Sequence, residues 1–312
     1  MLFEVAAVSA AHPRLTALIA ATREASPTVT AIVYPADATV VESARVAARL
    51  GIIEPVFYGP AGAQALLTAA GALSLPYRWV DTGDSPREAA RVAVADAATG
   101  RVAMLMKGSL HTDELLEAVL ARDSGLRGSG RLTHTFIFDL PRYHKLLALT
   151  DAVVNITPDV QTKAESLTHA IELTRKMGVA APKAAVLAAV EIVHASIPGT
   201  LDARTLAEWG AAGRFGAATV DGPFGFDNAI SAHAAATKGI FSVVAGDPDI
   251  LLVPDLNCGN MLYKSFVYIG GGECAGVVQG GRVPIVLTSR ADSLFSRVAS
   301  CAVARISLSQ IR

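Results

Sequence analysis

Cysteine, charge and aromatic residues are all scarce in this 312-residue chain. Its three cysteines, Cys258, Cys274 and Cys301, are odd in number, widely spaced and form no CxxC pair. That excludes a disulfide framework and a zinc site, and leaves buried, reduced thiols in a cytoplasmic protein as the expectation. The seven histidines show no HExxH or other metal-ligand spacing, so no metal is expected. Charged residues make up only 18% and the net charge is -1, which gives no support to nucleic acid or an anionic membrane as a partner. No window of about 20 residues lacks both charge and proline, so a transmembrane helix is not expected. The opening MLFEVAAVSAAHPR has no basic n-region and carries Glu4 where a signal peptide has Lys or Arg. Internal repeats and low-complexity tracts are absent as well.

What is present is a 52% hydrophobic composition built from Ala, Val and Leu, over a length that suggests two domains. The first half alternates two periods. Strand-like runs occur at Val29–Tyr34, Ile53–Tyr58 and Val102–Met106, and helical patterns at Ala38–Leu50 and Arg87–Ala98. This βαβ rhythm predicts an α/β fold with doubly wound, mostly parallel sheets. Further on, the pattern predicts strands at Thr135–Phe138, Ala152–Ile156, Ala184–Val190 and Asp249–Val253. It predicts helices at Val160–Met177, Asp227–Thr237, Met261–Ile269 and Glu273–Gln279.

Chemistry in such folds gathers where strands end and helices begin. Val283–Ser293 (VPIVLTSRADS) reads as a buried strand, a polar loop and the cap of a helix starting near Leu294. Its loop offers the hydroxyl of Ser289, the guanidinium of Arg290 and the carboxylate of Asp292. Together these suit binding a phosphate and moving a proton. Lys107-Gly108-Ser109-Leu110-His111-Thr112 is a second such junction, with a cation and backbone N–H groups that attract anions. The plainer alternative is that Thr112 or Asp113 caps a helix while Lys107 points to water. Asp221-Gly222-Pro223 with Asp227 reads either as a carboxylate pair or as a turn plus a cap. Asp255–Asn260 (DLNCGN) reads as a polar loop able to hold a ligand through Asp255, Asn257 and Asn260, or as ordinary capping. Cys258 lacks a neighbouring His to activate it, which favours an inert thiol. Gly270–Gly276 is a poor dinucleotide fingerprint and reads as close packing between helices.

Taken in order, several motifs resemble the phosphate acetyl/butyryltransferase family. They are KGSLHTD from Lys107, LTDAVVN from Leu149, PKAAVL from Pro182, DGP from Asp221 with Asp227, PDLNCGNMLYK from Pro254, GGECAG from Gly271 and VPI…SR from Val283 to Arg290. The wording SRADS is closer to the butyryltransferase branch. The resemblance implies an isocitrate/isopropylmalate dehydrogenase-like fold of two α/β domains with a cleft between them. Domain I would comprise residues 1–139 plus 282–312, and domain II the inserted residues 140–281, through which family members dimerise. It also implies reversible transfer of an acetyl or butyryl group between coenzyme A and phosphate, with coenzyme A as substrate and no permanently bound cofactor.

By the same resemblance, Ser289 bonds the thiol or the developing oxyanion and Arg290 grips the phosphoryl group. Lys107, Gly108, His111, Thr112, Asp227, Asp255, Asn257 and Asn260 fall in substrate-binding motifs. The acetyltransferase branch places an Asp base seven residues after the serine, where this chain has Ser296. Asp292 is therefore the candidate base, in competition with a simple capping role, and Asp227 and Asp255 stand in reserve. Two other readings compete: a nicotinamide-dependent dehydrogenase on the related fold, and a non-catalytic relative that binds acyl-CoA or phosphate.

Overall fold

The computed structural model describes residues 8–24, 26–69, 76–128, 130–289 and 291–309. Contacts divide them into two compact units. Unit 1 holds the residues up to Leu132 together with Cys274–Ser309, and unit 2 holds Thr133–Glu273.

Unit 1 begins with helix α1 (Pro13–Ala21) and strand β1 (Thr28–Val33). There follow α2 (Ala38–Arg49), β2 (Ile53–Gly59), the short α3 (Ala65–Ala69) and β3 (Arg78–Asp81). Then come α4 (Pro86–Ala98), β4 (Met104–Lys107) and α5 (Thr112–Leu120). Strands β1, β2, β3 and β4 pair in parallel in the order β3-β2-β1-β4. Ala31–Val33 and all of β4 are buried, as β-branched and apolar runs must be when helices cover both faces. In α4 the buried residues are Ala89, Ala90, Ala93, Val94 and Ala97, one stripe at helical spacing. Its start is set by Pro86 and by Ser85, whose hydroxyl accepts from the N–H of Glu88.

Unit 2 contains β5 (Thr133–Asp139), β6 (Leu147–Thr150), α6 (Val160–Lys176), β7 (Lys183–Leu187), α7 (Pro198–Ala211) and β8 (Thr219–Phe224). After them come α8 (Phe226–Ile230), α9 (Ala232–Thr237), β9 (Ile250–Leu252) and α10 (Leu256–Tyr268). The strand order is β5-β6-β9-β7-β8, parallel except for the β5–β6 pair. Phe136 of β5 stacks on Tyr263 of α10 at 4.3 Å, and Phe138 meets Phe266 edge-on at 5.1 Å, which seats α10 on the sheet. At the amino ends of β6, β7 and β9 the charges interlock. Lys145 bridges Asp247 and Asp249 at 2.9 and 2.8 Å, and Lys183 reaches Asp247 at 2.7 Å.

The chain returns to unit 1 through β10 (Glu273–Gln279), β11 (Ile285–Val286) and α11 (Leu294–Leu308). Strand β11 lies parallel to β4 and antiparallel to β10. Helix α11 is buried almost all round. Its Arg305 is satisfied by the carbonyls of Ser26 at 2.7 Å and Gly51 at 3.0 Å.

Four expectations are corrected. Glu273–Gln279 is a strand, not a helix. Residues 152–156 are not a strand, because the Asp151 carboxylate gathers the N–H groups of Val153, Val154 and Asn155 and curls the segment around itself. Asp227–Thr237 is two short helices, the second capped by Ser231. Asp255–Asn260 is not a loop but the cap and first turn of α10.

Candidate active site

Three neighbouring parallel strands of unit 1, β1, β4 and β11, send their carboxyl ends to the same edge. The loop after β4 folds onto the loop after β1. Gly108 N–H donates to the Val33 carbonyl and Ser109 N–H to that of Tyr34, both at 2.8 Å. The Ser109 hydroxyl donates to Asp37 at 2.6 Å and accepts from the N–H of Ala36 at 3.1 Å. Burial alone would raise the Asp37 carboxyl. The Ser109 hydroxyl, the N–H groups of Val40 and Thr39 and the charge of Arg297 outweigh it and hold the group below the usual carboxylate range.

Lys107 does not point to water. It is 7% exposed, and its ammonium donates to the carbonyls of Gly108 and Leu110 at 3.3 and 3.0 Å. Its charge therefore also fixes the shape of the loop it was expected to equip for anions. The cap of α5 is His111 rather than Thr112 or Asp113. Glu114 accepts from the His111 N–H at 2.9 Å, and Thr112 occupies the first helical position.

The loop after β11 leaves Ser289 exposed. The Ser289 N–H donates to the Asp292 carboxylate at 2.6 Å, and the Asp292 N–H donates back to the Ser289 carbonyl at 3.2 Å. Ser293, not Asp292, caps α11 by accepting from the N–H of Ser296 at 3.0 Å. Arg290 lies outside the described residues. Arg297, one turn into α11 and only 4% exposed, holds the loop from beneath. Its guanidinium donates to the Ser289 carbonyl at 2.8 Å, the Thr288 hydroxyl at 3.4 Å and the Asp292 carbonyl at 3.4 Å. Ser296 is buried and accepts from the N–H of Cys274, so its hydroxyl serves the packing of α11 on β10.

In unit 2, Asp227 is largely exposed and paired with Lys238 at 3.0 Å, a bond that holds its carboxyl below the usual range. Asp255 caps α10, accepting from the N–H of Cys258 at 2.9 Å. Asn257 is exposed and Asn260 half-buried on the same helix. Cys258 is exposed rather than buried, and partial burial followed by the nearby Asp255 raises its thiol, which disfavours a nucleophile. Asp255 lines a pocket of about 750 Å³ entirely within unit 2, at the carboxyl ends of β7 and β9. Asp227, Asn257 and Asn260 are not among its lining residues.

The structure thus brings Ser289 and Asp292 into direct contact and sets the Lys107–Thr112 loop on the adjacent strand end. Sequence reasoning missed Arg297, and it missed the pocket's ion pair of Lys163 with Asp202, 2.6 Å apart. An arginine one turn into a helix that otherwise, Arg305 apart, holds apolar and small residues was the available signal for the first. Nothing in the sequence links Lys163 to Asp202.

Residues 82–305 match the family model described as "Phosphate acetyl/butaryl transferase". The chain is 44% identical over 289 residues to a phosphate acetyltransferase of Rhizobium meliloti, covering 93% of this chain and 92% of that protein. It is 42% identical over 221 residues to a probable phosphate butyryltransferase of Bacillus subtilis (strain 168), covering 71% and 74%. Among solved structures it superposes on a branched-chain phosphotransacylase from Enterococcus faecalis V583 with a TM-score of 0.77 at 29% identity, covering 90% of this chain and 100% of that one. It shares the fold of a phosphotransacetylase from Streptococcus pyogenes, with a TM-score of 0.78 at 22% identity and coverage of 93% and 98%. Motif order, site loops and these similarities agree, and the chain belongs to the phosphate acetyl/butyryl transferase family.

Proposed function

We propose that the chain catalyses the reversible transfer of a short acyl group between coenzyme A and inorganic phosphate. The observation that carries this reading is the loop after β11, where the exposed Ser289 stands three residues before a carboxylate, that of Asp292, bonded to the serine's own N–H. In the direction that forms acyl-CoA, the thiol loses its proton to a base and the sulfur attacks the acyl phosphate carbonyl. The C–S bond forms, and the C–O bond breaks with its electron pair leaving on phosphate. A free thiol has a pKa of ~8.5, so a carboxylate base works only on a thiol made more acidic by nearby positive charge. In this scheme Ser289 donates to the thiol or the oxyanion, Arg290 holds the phosphoryl group and Asp292 takes the proton. The remaining motif residues on the strand-end loops, Lys107 to Thr112 among them, shape the substrate-binding surface.

Coenzyme A is thus a substrate and not a resident cofactor, and the cytoplasm, where acyl-CoA is made and used, is the proposed setting. Among the described residues no helix is long and apolar enough to cross a membrane. Unit 2 leaves Phe241, Val243, Tyr268 and Ile269 largely exposed, which supports a homodimer joined through that unit.

Phosphate-dependent thiol release from acetyl-CoA and butyryl-CoA, with NAD reduction followed in parallel, tests the activity. Its absence from every short acyl-CoA overturns the proposal. Asp292→Asn keeps an oxygen for the Ser289 N–H, so the loop survives while the base is lost. Turnover is expected to fall ~100-fold or more, with an unchanged thermal midpoint. Near-normal turnover removes Asp292 from proton transfer.

A further inference from the structure

The carboxylate of Asp37 does more than begin a helix. Its Oδ1 accepts from the N–H of Val40 at 2.9 Å and caps α2. Its Oδ2 accepts from the Ser109 hydroxyl at 2.6 Å, in the loop after β4. That hydroxyl in turn accepts from the N–H of Ala36 at 3.1 Å, so the loops after β1 and β4 are joined by a closed pair of bonds. Asp37 also lies in the field of the Arg297 guanidinium, which holds the Ser289 loop from beneath. A cap uses one acceptor oxygen, and the second is turned to a different loop.

The point from which Asp37 reaches is itself fixed. The Tyr34 N–H donates to the Tyr58 carbonyl at 2.7 Å, and the Ala36 N–H donates to the Tyr34 carbonyl at 2.9 Å. Between these bonds Tyr34 takes a φ of 56°, in the left-handed region that residues with a side chain seldom adopt. A backbone held there, at a strand end beside the candidate site, gives its neighbours a rigid reference.

Resting on the acyl-transfer reading, we propose that Asp37 is a positioning residue for the reaction. Through Ser109 it fixes the anion-attracting loop Lys107–Thr112 against the loop that carries Ser289 and Asp292. It acts on these loops and not on substrate. A short carboxylate suits the role because it is charged and accepts two bonds at once.

The test is the kinetics of phosphate-dependent thiol release from acetyl-CoA and butyryl-CoA, on the full chain, Asp37→Ser, Ser109→Ala and the double variant. Serine is a good cap, so Asp37→Ser keeps an acceptor for Val40 and is too short to reach Ser109. Thermal melts report folding of each. If Asp37→Ser melts early, Ser109→Ala decides alone, since it leaves the cap untouched. Each single variant is expected to raise the phosphate KM about 10-fold, with the acyl-CoA KM changed less than about 2-fold. The double variant is expected to be no worse than either single one, because both cut the same joint. An unchanged phosphate KM, or losses that multiply in the double variant, overturns the proposal while leaving acyl transfer intact. If the full chain releases no thiol from any short acyl-CoA, the transfer reading has failed and calorimetry with inorganic phosphate decides the joint. Weaker phosphate binding by the single variants than by the full chain sustains it, and equal affinities overturn it.

Discussion

A methyl group on Gly108 would run into the carbonyl oxygens of Val33 and Tyr34. The two loops lie so close there that only a hydrogen atom fits between them, and neither backbone has a flexible side chain to give way. Gly108→Ala is therefore expected to cost about 1–3 kcal/mol of stability and to lower the affinity for phosphate, read by chemical denaturation and by phosphate KM. At this scale the sequence was readable where a residue's role follows from its own chemistry and position. Ser289 at a strand end is one case, since its exposure follows from the loop it occupies. Lys107 is the opposite case. A lysine after a buried strand reads equally as an anion binder or a solvated charge, and only the folded loop reveals two carbonyls beneath its ammonium. Ser296 shows the same limit. Its place in the motif suggests chemistry, whereas the helix turns it toward the backbone of Cys274.

The loop between β11 and α11 is an element whose geometry rests on a residue outside it. Arg297 meets it at Thr288, Ser289 and Asp292, so both ends of the loop hang on one guanidinium. Arg297→Gln takes the guanidinium's bonds from the Ser289 carbonyl and the Thr288 hydroxyl, with an expected loss of about 1–3 kcal/mol in denaturant melts. Turnover is expected to fall more than coenzyme A affinity, because Ser289 and Asp292 lose their mutual register together. Most helices and parallel strands were legible, since apolar stripes and caps such as Ser85 and Ser293 mark them locally. Two segments misled for distinct reasons. AVVNI has strand composition, but one carboxylate, Asp151, outbids the sheet for its N–H groups. ECAGVVQ is a short apolar run buried on both faces, where period cannot tell helix from strand. Val277 and Val278 were the better guide there, being β-branched.

For the whole molecule, acid is the condition that the charge placement makes telling. His134 is fully buried, with neither ring nitrogen hydrogen-bonded, and burial, only partly opposed by Asp151, pushes it down to about 4. Between its unfolded value near 6.5 and that value, only the unfolded chain takes up the proton, so stability falls as pH falls through this window. Asp247 acts lower. Partial burial would raise it, yet the bonds and charges of Lys183 and Lys145 hold it well below the usual range. Its contribution is intact above pH ~4 and is lost as pH falls further, toward its folded value. The thermal midpoint is expected to decline from pH 6.5 to 4 and then more steeply, and His134→Leu is expected to flatten only the first part. Helix α11 bears on how this molecule comes into being. Among the described residues unit 2 is one unbroken stretch, whereas unit 1 lacks β10, β11 and α11 until the residues that follow unit 2 are made. On the ribosome the N-terminal strands must therefore wait, with the flank of β4 uncovered and the carbonyls of Ser26 and Gly51 still without Arg305, while the later-synthesised unit already has all its parts. The order of synthesis and the order of completion run opposite ways, and the waiting segment is where a nascent chain of this protein is most open to a chaperone.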